Sequence, residues 1–167
     1  QFACTVSLYE VTPGCVAADN LACDGWVKDT GLDLWRQHND GGTYTKDGSF
    51  YSLKFTPSNG DGYVAWPNGY SANAEHYQKF AGRTLTGGVW VKTSTASHVR
   101  VGIYDGSTYS YTSYHTGGGG WEWLEVTATM QANPTAFHYR FRLSQSSGDV
   151  YISQPMLVFG SSIGEGN

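Results

Sequence analysis

The chain has 167 residues, a formal net charge of −4, 14% charged residues and 15% aromatic residues. A chain of this length buries enough surface to fold as one domain without a disulfide or a metal. Abundant Gly, Tyr, Trp, Thr and Ser, with few Leu, Ala, Glu and Lys, are typical of an all-β domain. The acidic balance disfavours a general nucleic-acid-binding role, and no apolar run is long enough for a membrane helix. We therefore expect neither a nucleic acid nor a membrane as a partner.

Three cysteines, Cys4, Cys15 and Cys23, lie near the start of the chain. An odd count does not make a closed disulfide framework, so either Cys15 pairs with Cys23 or all three are buried thiols. The chain has no initiator methionine and no signal-like opening, which suggests a processed form or a piece of a longer protein. We assign residues 1–160 to a single β-sandwich domain, with 1–19 as an N-terminal extension or first strand, and residues 161–167 to a Gly/Ser-rich tail or linker.

Short segments of alternating apolar and polar residues, separated by turn signals, follow one another along the chain. About ten such strands, with turns every 8 to 12 residues or so, predict an all-β fold: a two-sheet antiparallel β-sandwich of the jelly-roll type. Residues 72–80 are the one stretch that could hold a helical turn. The predicted strands are 5–11, 32–37, 51–55, 63–66, 89–92, 98–104, 109–114, 121–130, 137–144 and 150–159.

Two pairs of neighbouring strands are predicted to form hairpins. Residues 84–105 contain two alternating runs joined by a polar turn, which is the pattern of an antiparallel hairpin with one buried face. Residues 51–55 and 63–66 flank the turn Asn59-Gly60-Asp61-Gly62 and read the same way.

Catalytic motifs are absent from the sequence. No G-x-S-x-G, H-E-x-x-H, H-x-E or P-loop pattern occurs. A glycosidase needs two carboxylates facing one sugar bond, whereas Glu122 and Glu125 should point to opposite faces of their predicted strand. We therefore expect a protein that is not an enzyme.

The histidines and the acidic turns are the possible metal ligands of the sequence. The five histidines are scattered, which does not favour zinc. Turns rich in Gly, Asp and Asn offer carboxylate and carbonyl oxygens that suit calcium. A structural Ca²⁺ is the cofactor that we consider, with Asp19, Asp24 and Asp149 as candidate ligands.

The side chains opposite the apolar positions are the strongest functional feature. If the strands at 84–105, 121–130 and 137–144 belong to one sheet, its outer face collects aromatic and cationic residues. Aromatic rings cover the C–H faces of sugars, planar donors bind their hydroxyls, and Arg captures carboxylate or sulfate on an acidic glycan. The candidate ligand-binding residues are Trp90, Arg100, Tyr104, Arg140 and Arg142, followed by Trp123, His138 and Lys92.

Other interpretations of the aromatic residues stay open. The face could be a solvated surface with cross-strand pairs such as Glu125 with an arginine, or a protein interface, where Trp, Tyr and Arg are enriched. A loop rim around the four-glycine run 117–120 is a second sugar-stacking candidate, although alternating tyrosines that simply cover an edge strand explain it more simply. The rim residues are Trp66, Tyr70, Tyr109, Tyr111, Tyr114, His115 and Trp121.

Several segments in a fixed order resemble a recurring module. They are Asp24-Gly25-Trp26, YSLKF at 51–55, Leu85 with WVK at 90–92, VRVGIYDG at 99–106, SYHTGGGGW at 113–121 and PMLV at 155–158. Over residues 20–160 their order and spacing resemble the carbohydrate-binding-module 4/9-like (galactose-binding-like) jelly rolls of phage tail and head proteins and of bacterial glycoside hydrolases.

This resemblance implies a non-catalytic β-sandwich that binds a poly- or oligosaccharide and often holds a structural calcium. It implies a phage virion protein, located in the virion or outside the cell, that contacts other virion subunits. A module appended to a secreted glycoside hydrolase and a structural decoration or assembly domain without a sugar ligand are the alternatives. Two departures stand out: residues 1–19 are not part of the pattern, and Ser153-Gln154 stand where such modules often carry an Asp.

Overall fold

A computed structural model describes residues 26–38, 41–47, 49–58, 60–67 and 74–164. In this part of the chain the backbone forms two antiparallel sheets of five strands each, which confirms the predicted β-sandwich. One short helix, α1 (Glu75–Gln78), interrupts the strands, and no described helix is long and apolar enough to cross a membrane. The predicted strand at 5–11, the three cysteines and Tyr70 lie outside the described residues.

The two sheets have interleaved strand orders. In spatial order, sheet A consists of β1 (Val27–Lys28), β4 (Gly62–Trp66), β9 (His138–Leu143), β6 (Val99–Tyr104) and β7 (Tyr109–Tyr111). Sheet B consists of β2 (Leu32–His38), β3 (Tyr51–Pro57), β10 (Val150–Phe159), β5 (Thr84–Lys92) and β8 (Trp121–Thr129). Most hydrogen-bonded neighbours are therefore distant in sequence, and the chain crosses repeatedly between the sheets.

The core lies between the sheets and is built by the alternation within each strand. Every second side chain points inward, where burial of apolar surface stabilises the fold by about 25 cal/mol per Å². Sheet A contributes Val64, Val99, Val101, Ile103, Tyr139, Phe141 and Leu143, and sheet B contributes Leu32, Leu34, Phe55, Leu85, Val89, Val91, Leu124, Val126, Val150 and Ile152.

One inward contact joins the two sheets directly. The Tyr139 hydroxyl donates a hydrogen bond to the carbonyl oxygen of Gly88 at 3.0 Å. The Tyr139 ring lies so close to β5 that a Cβ on Gly87 would be 2.4 Å from it. Glycine at position 87 is therefore required by this close approach.

Both predicted hairpins are wrong, because their arms lie in different sheets. The strand with Val89 and Val91 is β5 of sheet B, whereas the strand with Val99 and Val101 is β6 of sheet A. The segment between them carries the chain across the sandwich, and the buried His98 ring lies 2.9 Å from the carbonyl oxygen of Gly148 there. The strands β3 and β4 are separated in the same way. Both arms of each pair still bury their apolar faces in the core between the sheets.

The position of a phenylalanine relative to the core should determine how much its replacement by alanine lowers the free energy of unfolding. Phe141 is 1% exposed and contacts the rings of Trp26, Phe55 and Tyr139. We expect Phe141→Ala to lower the free energy of unfolding in urea by about 3–5 kcal/mol. Phe50 is 79% exposed, so Phe50→Ala should change it by about 0.5 kcal/mol or less. Similar losses in both variants would contradict this description of the core.

Candidate functional site

The outer face of sheet A gathers tyrosines and arginines from four strands. Because Val99, Val101 and Phe141 point inward, their neighbours along β6 and β9 point outward. The edge strand β7 adds tyrosines in register with β6, and β4 adds one more beside β9. We call this surface the tyrosine–arginine face, and it comprises Tyr63, Arg100, Tyr104, Tyr109, Tyr111, Tyr114, His138, Arg140 and Arg142.

A stack of three tyrosines forms one side of the face. The ring centroids of Tyr104 and Tyr109 are 4.1 Å apart, with an angle of 22° between the planes. Tyr109 and Tyr111 follow at 5.5 Å and 15°. The two rings of β7 therefore lie nearly parallel, and Tyr109 is 36% exposed. Because the stacked rings lie face to face, each covers part of its neighbour, and the exposed part of Tyr109 is the aromatic surface open to the C–H groups of a sugar ring.

Arg140 lies at the centre of the face and is held by aromatic rings. Its guanidinium carbon is 3.8 Å from the centroid of Tyr109 and 5.4 Å from that of Tyr63, and its Nη2 donates a hydrogen bond to the Tyr111 hydroxyl. The cross-strand partners of Arg140 are the small residues Ala65 and Gly102. These small neighbours leave room for the guanidinium to lie close to the sheet. Arg140 is accordingly only 6% exposed.

Arg100 lies beside Arg140 and shares an aromatic neighbour with it. Its guanidinium carbon is 3.9 Å from the centroid of Tyr111 and 4.8 Å from that of Tyr114. Gly102 makes this arrangement possible, since a Cβ there would be 2.5 Å from the Tyr111 ring. The Nε atoms of Arg100 and Arg140 are both buried and have no hydrogen-bond partner in the described residues.

The charge on this face is only partly neutralised within the described residues. Arg142 pairs with Asp61, with 2.6 Å between Nη2 and Oδ2. No carboxylate in the described part of the chain forms an ion pair with Arg100 or Arg140. Arg100 and Arg142 lie directly opposite each other on neighbouring strands. Two like charges in these positions repel each other, which destabilises the strand pair. Burial lowers the pKa of Arg140, and Arg142 and Arg100 act in the same direction, although a guanidinium stays charged at neutral pH.

His138 closes one end of the tyrosine stack. It is 3% exposed, and its ring centroid lies 5.3 Å from Tyr104 and 6.4 Å from Tyr109. Burial lowers the pKa of His138 to about 4. The imidazole is therefore neutral at pH 7 and adds no charge to the face.

The structure corrects the predicted composition of the binding face. Of the eight candidate residues, the five on β6 and β9 come together, namely Arg100, Tyr104, His138, Arg140 and Arg142. The other three, Trp90, Lys92 and Trp123, lie on the outer face of sheet B, because β5 and β8 belong to that sheet. The assumption of one common sheet was wrong.

Trp90 is also covered where it lies. It is 7% exposed, the Lys46 ammonium is 4.3 Å from its ring centroid, and the Trp123 ring packs against it at 5.6 Å. The Trp123 ring NH in turn donates a hydrogen bond to Glu125 at 3.0 Å. Both tryptophans therefore pack within the protein itself.

The four additional tyrosines of the face were missed as partners of the arginines. Tyr109, Tyr111 and Tyr114 had been assigned to a loop rim, and Tyr63 to a hairpin. The alternation of Tyr109 with Tyr111, together with Gly102 in the facing strand, is the signal that could have placed them beside Arg100. Two other rim residues lie away from the tyrosine–arginine face. Trp66 packs against Phe137 with 6.0 Å between ring centroids. His115 is 2% exposed, and its Nδ1 accepts a hydrogen bond from the Gly117 amide at 2.8 Å, so it supports the glycine loop.

The calcium prediction finds no support in the described residues. Asp149 is ion-paired with the Lys54 ammonium at 2.8 Å and accepts a hydrogen bond from Thr56 at 2.9 Å. A carboxylate already bound to a cation is a poor calcium ligand, and the described residues contain no cluster of three or more potential metal-ligating side chains. Asp19 and Asp24 lie outside the described residues, so calcium stays a prediction.

The two carboxylates considered for catalysis have structural partners. The amide and hydroxyl of Thr116 donate hydrogen bonds to Glu122 at 2.9 and 2.7 Å. Although partial burial acts to raise the pKa of Glu122, these hydrogen bonds bring it below its usual value. Glu125 accepts hydrogen bonds from Trp123 and from the amides of Ile163 and Gly164, and its pKa is lowered likewise despite burial. A general acid needs a raised pKa, so neither residue suits that role.

A pocket of about 440 Å³ opens at one end of the sandwich. Aromatic and aliphatic side chains dominate its walls, and Lys79 is the one charged residue there. A sugar site needs several converging polar groups for hydroxyls, so the pocket suits a glycan less well than the tyrosine–arginine face. The lining residues are Trp26, Trp66, Lys79, Phe80, Tyr139, Pro155, Met156, Leu157 and Phe159.

Comparison with known proteins gives structural matches only. No family model matches the sequence, and no curated protein matches it. Among solved structures, the CBM22-1 xylan-binding domain of Paenibacillus barcinonensis Xyn10C superposes with a TM-score of 0.61 at 8% identity, covering 83% of this chain and 88% of that one. TmCBM61, solved with β-1,4-galactotriose, superposes with a TM-score of 0.57 at 10% identity, covering 93% of this chain and 100% of that one.

A phage protein is a further structural match. The enzymatically active domain of tailspike protein 4 from bacteriophage CBA120 superposes with a TM-score of 0.60 at 10% identity, over 81% of this chain. The chain spans only 19% of that tailspike chain. At these identities the comparisons establish the fold alone: the chain has the β-sandwich fold of carbohydrate-binding modules.

The buried His138 predicts a pH-dependent stability. Because its pKa of about 4 lies below the value of 6.5 for an exposed histidine, its contribution to stability is complete above pH 6.5 and is lost as the pH falls towards 4. Between pH 7 and pH 5 the free energy of unfolding should fall by about 2 kcal/mol more in the wild type than in His138→Gln, whereas between pH 7 and pH 8 the two slopes should agree. An NMR titration of His138 with a midpoint near 6.5 would contradict this account.

Proposed function

We propose that the chain is a non-catalytic carbohydrate-binding module whose tyrosine–arginine face binds a poly- or oligosaccharide. The single observation that carries this proposal is a pair of guanidiniums, from Arg100 and Arg140, held against tyrosine rings without a carboxylate partner among the described residues. The shared fold with carbohydrate-binding modules supports it.

The chemistry of the face fits the two surfaces of a sugar. The exposed part of the Tyr109 ring offers apolar surface for C–H groups. The guanidinium of Arg100 and the tyrosine hydroxyls offer donors and acceptors for hydroxyl groups. Aromatic rings and guanidiniums lie within a few ångströms of each other, which is the scale of one sugar ring.

The charge on the face favours an acidic glycan. Burying an ion costs several kcal/mol, whereas a cation–π contact contributes on the order of 0.5–2 kcal/mol. The tyrosine rings therefore offset only part of the cost of burying Arg140, which is 6% exposed. A uronate or sulfate group that accepts hydrogen bonds from Arg100 and Arg140 would supply the missing negative charge.

We propose binding without cleavage, because the described residues of this face include no carboxylate that is free to act as an acid. Asp61 is the acidic residue bonded to the described part of the face, and it is engaged by Arg142. Glycosidic hydrolysis requires two carboxylates on either side of the bond. We therefore propose a role in attachment.

We further propose that the module belongs to a phage virion protein that attaches the particle to polysaccharide, in the virion or outside the cell. The resemblance of residues 99–106 and 113–121 to phage modules supports this, as does the fold shared with the tailspike domain. A module appended to a secreted glycoside hydrolase is the alternative, and neighbouring tail or capsid genes distinguish it from a catalytic domain in the same chain. An assembly domain that contacts other virion subunits and binds no sugar would instead bury the tyrosine–arginine face in a stable oligomer.

Two substitutions test the binding face. Calorimetry with polygalacturonate and chondroitin sulfate fragments, and with neutral β-1,4-galactan and xylan fragments, should show preferential binding of acidic glycans. Arg100→Gln should weaken acidic binding about tenfold or more, because a charged hydrogen bond is lost. Tyr109→Ala should weaken it through the loss of the exposed stacking surface.

Arg83→Gln is the matched control for charge. Arg83 lies over the Phe159 ring, away from the face, so this variant removes one positive charge without touching the site and should bind like the wild type. Wild-type protein that binds none of these glycans, or unchanged affinity in both face variants, would refute the proposed function.

A further inference from the structure

The outer face of sheet B carries a second pattern of aromatic and cationic residues, which crosses all five strands. Trp35 of β2 is paired with Lys54 of β3, which is paired with Tyr151 of β10. Tyr151 is paired with Lys92 of β5, and Lys92 with Trp121 of β8. We call these five residues the transverse row.

The transverse row points away from the core. The residues next to its members along the strands, such as Leu34, Phe55 and Ile152, are buried between the sheets. Strand alternation therefore directs the row outward. Trp35 is 43% exposed, and Tyr151 and Trp121 are half-buried.

The aromatic members recur at a regular distance. Trp35, Tyr151 and Trp121 occupy the first, third and fifth strands of the sheet. Strands lie about 4.8 Å apart, so successive aromatic positions are about 9.6 Å apart and the whole row spans about 19 Å. This interval is close to the length of one disaccharide unit in an extended β-1,4-linked polysaccharide. Every second sugar of such a chain would meet a ring.

The central ring of the row is partly covered, and the next member of the row is charged. The Tyr44 ring packs against Tyr151 with 4.8 Å between centroids, which holds the Tyr151 ring in place and leaves it half-buried. Lys54 is neutralised by Asp149 at 2.8 Å, whereas Lys92 forms no ion pair within the described part of the chain. Its ammonium has three donors available for sugar hydroxyls or a carboxylate. Trp35, which is 43% exposed, and the accessible parts of Tyr151 and Trp121 are surfaces on which a ligand could pack.

Sheet twist restricts the form of the ligand. Neighbouring strands rotate by roughly 20–25°, so aromatic positions two strands apart differ in direction by roughly 40–50°. A flat crystalline surface could not contact all three rings at once. A single chain that twists along its length could.

We propose that the transverse row is a second carbohydrate site, on the opposite side of the sandwich from the tyrosine–arginine face, for a single extended β-1,4-linked polysaccharide chain. The two sites share no residue. Together they allow one module to join two glycan chains or to hold one long chain at two points, which raises the apparent affinity for polymers above that for short fragments.

Affinity electrophoresis in gels containing the neutral polysaccharides β-1,4-xylan or hydroxyethylcellulose tests the proposal. Trp35→Ala combined with Trp121→Ala should weaken retention about tenfold, through the loss of two stacking contacts, and Trp35→Ala alone should weaken it in part. Phe50→Ala is the matched control, since it removes a 79% exposed aromatic residue from outside the row, and it should be retained like the wild type.

The proposals for the transverse row and for the tyrosine–arginine face can be refuted independently of each other. The Trp35→Ala/Trp121→Ala protein should keep the wild-type affinity for short acidic fragments, and Arg100→Gln with Tyr109→Ala should keep row-dependent retention by xylan. Unchanged retention in the tryptophan variant, or complete loss of retention in Arg100→Gln with Tyr109→Ala, would overturn the second site. If neither set of substitutions weakens the binding of acidic fragments, that result counts against the proposed function but does not count against the second site. Urea unfolding of the tryptophan variant checks that it is folded.

Discussion

The alternation of side chains along the strands of sheet A determines the character of the functional face. Burying Val99, Val101 and Ile103 requires Arg100 and Tyr104 to face outward. The same constraint on β9 directs its arginines to that side. A shift of one residue in register would bury the arginines in the apolar core, so the hydrophobic core and the binding surface specify each other.

The electrostatics of the tyrosine–arginine face favour one class of ligand. Arg140 is drawn against the sheet because its cross-strand neighbours are Ala65 and Gly102. Tyrosine rings compensate for lost hydration only in part, and Asp61 neutralises Arg142 alone. The surface that results is aromatic and positively charged on a protein whose net charge is −4. This local excess of positive charge is the physical basis for preferring an anionic ligand.

The sequence predicted which side of each strand faces the core, but not which strands are neighbours. The outward orientation of Arg100, Arg140 and His138 followed from local alternation. The sheet to which Trp90 belongs did not follow from local alternation, because β5 pairs with β10 and β8, which are both distant in the chain. In addition, the segment after Lys92 has the composition of a hairpin turn, although it crosses the sandwich. Burial of His138 was equally inaccessible, since it depends on the tyrosines of a separate strand.

The most direct test of the central claim is an NMR titration of the protein with short galacturonate oligosaccharides, followed through the backbone amides and the arginine Nε–H resonances. The account predicts that the largest shifts occur at Tyr109, Tyr111 and Arg142 and at the side-chain Nε–H groups of Arg100 and Arg140, whose nitrogens have no partner within the described residues. Shifts confined to the end pocket around Phe80, or no shifts at saturating oligosaccharide, would contradict it.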